Sequence, residues 1–193
     1  MSIAATPARG RARSNGWWGM ALFAATEATL IGTIVGSYFY LRINAAAWPP
    51  KGAPEPAILA PVLLTVALLA SVVPFHGAVS AARRDDRARA LALVAVATAV
   101  QAAYFGVQIH LFSASLDRFQ PQAGAYASIY YVLLGAAHAH IAVGLLFDLW
   151  LLARLARRLT PYRLRALEAV ALYWVVVAGI TVVAVFTLLS PRL

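Results

Sequence analysis

Apolar residues fall in five long runs, at about 17–41, 61–82, 91–112, 126–152 and 167–189, separated by stretches rich in proline, glycine and arginine. Each run holds at least 22 residues. At about 1.5 Å per helical residue that length crosses the roughly 30 Å hydrocarbon layer of a bilayer. The pattern therefore predicts an all-α integral membrane protein, a single domain of five transmembrane helices over 17–190, preceded by a polar tail over 1–16. Charged, amide and imidazole side chains inside the runs are few: Glu27 in the first, His76 in the second, Gln101, Gln108 and His110 in the third, His138, His140 and Asp148 in the fourth, and Glu168 in the fifth. Pro74 inside the second run predicts a kink. Between runs, Pro49, Pro50, Gly52, Pro54 and Pro56 predict a short loop, and residues 83–89, RRDDRAR, predict a charged surface turn. Residues 113–124 predict another loop, and arginines around Pro161 a last turn.

The first run is the most informative. Trp17, Trp18, Tyr38 and Tyr40 fall near its two ends, where amphipathic rings prefer the headgroup layer. Glu27 lies about 15 Å in, where an unpaired carboxylate costs roughly 3 kcal/mol. It calls for a polar partner at similar depth.

Composition agrees with this picture and narrows the chemistry. The 193 residues are 62% hydrophobic and 12% charged, with a mean hydropathy of +0.76 and no cysteine. No disulfide, thiolate metal site or cysteine nucleophile is available. The net charge of +9 could suggest nucleic acid, but the arginines cluster between apolar runs rather than along one soluble face. Topology accounts for them: twelve of the sixteen Lys and Arg lie in the N-terminal tail (Arg9, Arg11, Arg13), the 83–89 turn and the turn around Pro161. The positive-inside rule then places the N-terminus in the cytoplasm and, after five spans, the C-terminus outside. A bacterial cytoplasmic membrane is the expected location. The tail also resembles an organelle transit peptide in composition, and no signal-peptidase site is evident.

Glu27 is the leading candidate for chemistry. It reads either as a proton-linked carboxylate or as a protonated acid bonded to a neighbouring helix. The fourth run offers His138 and His140 near its middle; two residues apart, they point about 200° from each other, so only one can face Glu27. The four histidines are scattered in depth, which argues against a haem or copper site. Asp148 is expected to pair with a turn arginine, and Glu168 to sit in the first turn of the last helix, where an acid favours the helix dipole. Arg83, Arg84, Arg157 and Arg158 suit phospholipid phosphates by charge, and equally an ordinary solvated turn. Gly32 and Gly36 form a GxxxG on the first run, and Gly135, Ala136, Ala137 and Ala139 a small-residue stretch on the fourth, both compatible with close helix packing. No nucleophilic triad and no phosphate-binding glycine loop is present.

Taken together, these residues resemble a family, the third subunit of haem-copper terminal oxidases. Trp18-Gly19-Met20, Leu22-Phe23, Glu27, Phe39 and Trp48-Pro49-Pro50 are similar to that family's first conserved block, whose carboxylate reacts with carbodiimide. Ser71, Asp86-Arg87, Gln108, Phe119, Gly124, Tyr126, Ser128, Gly135, His140 and Gly144 fall at family positions, and Glu168, Tyr173 and Trp174 match its final block. The departures thin the polar network. The resemblance covers five helices where relatives have seven, Val79 and Ser80 stand where the family has a histidine pair, and Leu111 replaces a carboxylate. Ala137 replaces the first of two histidines, while Val175 and Ala178 replace a histidine and an aspartate.

The resemblance implies a cofactor-free accessory subunit beside catalytic subunit I and the other chains of a respiratory oxidase, with haems and copper in the partner subunits. It would stabilise the catalytic subunit, support proton uptake and hold phospholipid, with a Glu27–His140 contact as the surviving polar pair. It implies no active site of its own. A quinol oxidase or nitric oxide reductase subunit shares the same motifs. A free-standing proton-coupled carrier using Glu27 and His140, or an assembly factor, are the readings from other classes.

Overall fold

The computed structural model describes residues 15–53 and 57–192. The tail arginines Arg9, Arg11 and Arg13, and Pro54 and Pro56 of the first loop, lie outside the described residues. Five helices follow one another: α1 Asn15–Ile43, α2 Leu59–Arg83, α3 Arg87–Leu116, α4 Ala125–Arg157 and α5 Pro161–Leu189. Single 3-10 turns at Pro121–Ala123 and Ser190–Arg192 complete the described chain, which contains no strand. All five helices are long and apolar enough to cross a membrane.

Most helix ends overrun the apolar runs that predict them. An apolar run measures the hydrocarbon layer, whereas a helix continues through the headgroup region until a capping signal stops it. α5 starts at Pro161, which needs no N–H at a first helical position, behind Thr160, whose hydroxyl accepts the Arg163 N–H at 3.3 Å. Asp86 caps α3 in the same way, accepting the Arg89 N–H at 3.0 Å. The charged turn predicted over 83–89 therefore shrinks to residues 84–86, with Asp85 in the left-handed region at φ 61°. Pro74 lies within a single unbroken α2.

Contacts between helices define the architecture. α2 packs on α3, α3 on α4, α4 on α5 and α5 back on α2, a closed ring of four. The interior of that ring is filled by Leu68, Phe75, Val94, Ile141, Leu151 and Trp174, all fully buried. α1 stands outside it, lying against α4 and α5. Its buried residues are Ala24, Ile31 and Tyr38, seven apart, a single row along one side of the helix. The contrast with α5 is large: 11% of the apolar window of α1 is buried, against 50% for α5. A second apolar cluster joins Ile31 and Tyr38 to Leu133, Ala137, Ile180 and Leu188, fixing the C-terminal half of α1 onto α4 and α5.

Candidate functional site

The α1 row that meets α4 and α5 brings Glu27 to His140. Glu27 Oε2 lies 2.6 Å from His140 Nε2. The tautomer follows from the other side of the ring. His140 Nδ1 faces the Ala136 carbonyl oxygen, one helical turn back, and a carbonyl can only accept, so Nδ1 carries a hydrogen. One proton then remains for the short Nε2–Oε2 contact. It sits either on the carboxyl, donated to a neutral imidazole, or on the ring, donated to a carboxylate. In both cases the pair as a whole is neutral, which suits a site in a bilayer.

α5 braces this pair. The Tyr173 hydroxyl donates to the His140 carbonyl oxygen at 2.8 Å, and the Tyr173 ring stacks on Phe23 of α1 at 6.1 Å between centroids. Three helices thus converge on one pair. The Glu27 side chain keeps 22% of its surface exposed, while His140 keeps 7%. The site is a seam, closed towards the bundle and open on the α1 side.

His138 faces elsewhere, as its 200° offset requires. It is buried and packs edge-on against Phe105 and Phe112 of α3, with centroids at 6.4 and 5.5 Å. His76 and His110 are exposed on α2 and α3. Among the described residues no three His, Cys, Asp or Glu side chains come together as a metal site would require.

A second polar centre lies inside the four-helix ring, and here the expected pairing of Asp148 with a turn arginine is wrong. Asp148 is fully buried. Trp174 Nε1 donates to its Oδ1 at 2.8 Å. With the Gln101 amide oriented to satisfy its neighbours, the Gln101 nitrogen donates to Asp148 Oδ2 at 2.8 Å, and its oxygen accepts from Ser71 Oγ at 3.1 Å. Ser71, Gln101, Asp148 and Trp174 come from α2, α3, α4 and α5, so one network ties the whole ring together. The reason is helical phase: Ala137, Ile141, Gly144, Asp148, Leu151 and Leu155 form the buried face of α4, and Arg154 and Arg157 lie off it. Gly144 belongs to this centre as well. A Cβ there would come 2.7 Å from Trp174 Cζ2, so only glycine lets the indole reach Asp148.

The turn arginines divide into engaged and free. Arg83 Nε and Nη2 donate to Glu168 Oε1 at 3.1 and 2.8 Å, which gives Glu168 an ion-pair partner on α2. The expected place of Glu168 in the first turn of the last helix is wrong, because α5 begins at Pro161 and carries Glu168 past that turn. Arg87 Nη1 donates to the Ala156 and Arg157 carbonyl oxygens at 3.1 and 3.0 Å, serving the end of α4. Arg84, Arg157 and Arg158 are exposed. At the opposite end, Trp48 packs between Tyr38 and Tyr126, and Arg42 Nη1 donates to Ser190 Oγ at 2.7 Å.

Sequence reading missed Gln101 as a partner and Trp174 as a donor. The available signal was chemical: an indole N–H and an amide deep in apolar spans each require an acceptor, and Asp148 was the acid left over.

Comparison with known proteins matches residues 11–190 to the family model described as cytochrome c oxidase subunit III. The chain is 28% identical over 164 residues to cytochrome c oxidase subunit 3 of Synechocystis sp., covering 81% of this chain and 67% of the relative. It is 26% identical over 161 residues to the cytochrome bo(3) ubiquinol oxidase subunit 3 of Pseudomonas aeruginosa, covering 82% of this chain and 75% of the relative. It is also 28% identical over 187 residues to a haem-copper oxidase subunit I+III of Aeropyrum pernix, covering 89% of this chain and 22% of that longer one. The five membrane-length helices and a family match over nearly the whole chain agree: this chain belongs to the cytochrome c oxidase subunit III family.

Proposed function

We propose that the chain is the accessory subunit III of a respiratory haem-copper terminal oxidase in a bacterial cytoplasmic membrane, with its N-terminus in the cytoplasm. It binds the catalytic subunit I, stabilises it, supports proton uptake beside it and holds phospholipid. The haems and copper of the complex belong to the partner chains. The observation that carries the reading is the Glu27–His140 pair: a family carboxylate at mid-depth, sharing a single proton with a histidine on another helix, at a seam left partly open. Such a pair lends polar character to a surface without placing a net charge in the bilayer. The relative that joins subunits I and III in one chain supports direct contact between them.

A quinol-oxidising complex is the second reading, favoured by the Pseudomonas relative at an identity close to that of the cytochrome c oxidase relatives. Purification from the native membrane tests both. The chain should coelute with haem absorbance and a catalytic subunit, and reduced cytochrome c and quinol assayed in turn identify the donor. Elution of the chain without haem would sink the proposal.

A further inference from the structure

One face of α2 carries an unused pattern. Val62, Val66, Leu69, Val73, His76, Ser80 and Arg84 follow each other at intervals of three or four residues, which places them on one side of the helix, and all seven are exposed. The stripe is ordered along the membrane normal. Its deep part is aliphatic, and the polar residues occupy only the last two turns before the α2–α3 turn. There the stripe opens into a cavity of about 370 Å³ lined by Gly77, Ser80, Arg84, Asp86 and Arg89.

The charges of this cavity are available. Arg83, Arg87 and Arg163 each donate to a carboxylate or to helix-end carbonyls, and Arg154 lies over the Trp150 ring at 5.6 Å. Arg84 and Arg89 make no side-chain bond of this kind among the described residues. Asp86 is the opposing charge, and its Oδ1 accepts the α3 backbone N–H of Arg89 as a cap. Two guanidinium groups against one committed carboxylate leave a net positive pocket at the level where a helix leaves the hydrocarbon layer.

We propose that this face binds a glycerophospholipid, with its phosphodiester between Arg84 and Arg89, Ser80 as a hydroxyl donor, and an acyl chain along Val73, Leu69 and Val66. Guanidinium pairs match phosphate oxygens in geometry and charge. The aliphatic run directly below them selects an amphiphile over a free phosphate ion. The assignment deepens the lipid-holding part of the proposed function and rests on it. It also narrows the four arginines chosen by charge alone to one, Arg84, and adds Arg89.

Native mass spectrometry of the purified haem-containing complex, loaded with phosphatidylglycerol, tests the site. At about fivefold per arginine near a membrane surface, Arg84→Gln/Arg89→Gln should bind phosphatidylglycerol roughly 25-fold more weakly, with Arg165→Gln unchanged. Ser80→Phe keeps both charges but fills the cavity, and should lose the lipid too. Equal retention by the double variant and the wild type overturns the proposal. Inorganic phosphate bound by the delipidated complex as tightly as phosphatidylglycerol also overturns it, since the aliphatic stripe would then contribute nothing. Coelution with haem is read in the same samples. A chain that elutes apart from haem but keeps its lipid sinks the accessory-subunit reading alone.

Discussion

Glu27 and Asp148 are both acids placed in apolar helices, and they are accommodated in opposite ways. Asp148 is sealed in the middle of the α2–α5 ring, where donors from two other helices reach its two oxygens. Glu27 sits on the one helix outside that ring, meets a single side chain and keeps part of its surface exposed. The first arrangement is expensive to disturb because removing the acid strands buried donors that have nowhere else to turn. The second is cheap to disturb and accessible to a partner. The difference separates an acid that holds the fold from an acid available to function.

The largest expected effect is at the sealed centre. Asp148→Ala leaves the Trp174 N–H and a Gln101 amide hydrogen unpaired and opens a void, and should cost about 3 kcal/mol. Recovery of folded chain in detergent and its thermal midpoint measure this. Asp148→Asn keeps an acceptor for Trp174 and a polar contact for Gln101, and should fall near the wild type. If Asn and Ala prove equally damaging, the network account is wrong.

Gly144→Ala should come next, at about 1–3 kcal/mol, because its Cβ would displace the Trp174 ring and with it the bond to Asp148. The same thermal melt reads it. Pairing it with Asp148→Ala should give less than the sum of the two single losses, since both break one contact.

At the seam, Glu27→Ala should cost only about 0.5–1.5 kcal/mol within the chain, the usual range for a hydrogen bond between membrane helices. Oxidase turnover should stay largely intact while association of the subunit, or its durability during turnover, weakens. Glu27→Gln, whose amide can donate to His140 Nε2, should lie between Ala and the wild type. Haem loss on Glu27→Ala would contradict an accessory role.

The smallest effect is expected at Arg83–Glu168, whose side chains are 63% and 28% exposed. Arg83→Ala should change stability by less than about 1 kcal/mol, and by less still at high salt. Melts at low and high ionic strength check it.

The two centres were also unequally legible in the sequence. Five spans are readable because each is a long apolar run, but their ends are not, since caps such as Asp86 and Thr160 act beyond the hydrocarbon layer. That Glu27 needs a partner on the fourth span is readable because a lone acid at mid-depth demands one and His138 and His140 lie near the middle of that span, while the choice of His140 comes from the family resemblance. Asp148 with Gln101 and Trp174 was not readable. Helices that are apolar on all sides give no phase from which to tell which face turns inward, so the sequence points Asp148 to the nearby turn arginines instead of the donors across the ring. Packing decided what composition left open.

The placement of α1 has a consequence for how the protein is made. α1 precedes the four helices of the ring in the chain, yet its neighbours are α4 and α5, the last of the five to be made. Its one buried row, Ala24, Ile31 and Tyr38, has no surface to rest on until α4 and α5 have been made. Until then Glu27 must enter the membrane without His140. The order of synthesis and the order of docking are therefore reversed, and the helix that bears Glu27 waits for its two neighbours before it finds its place.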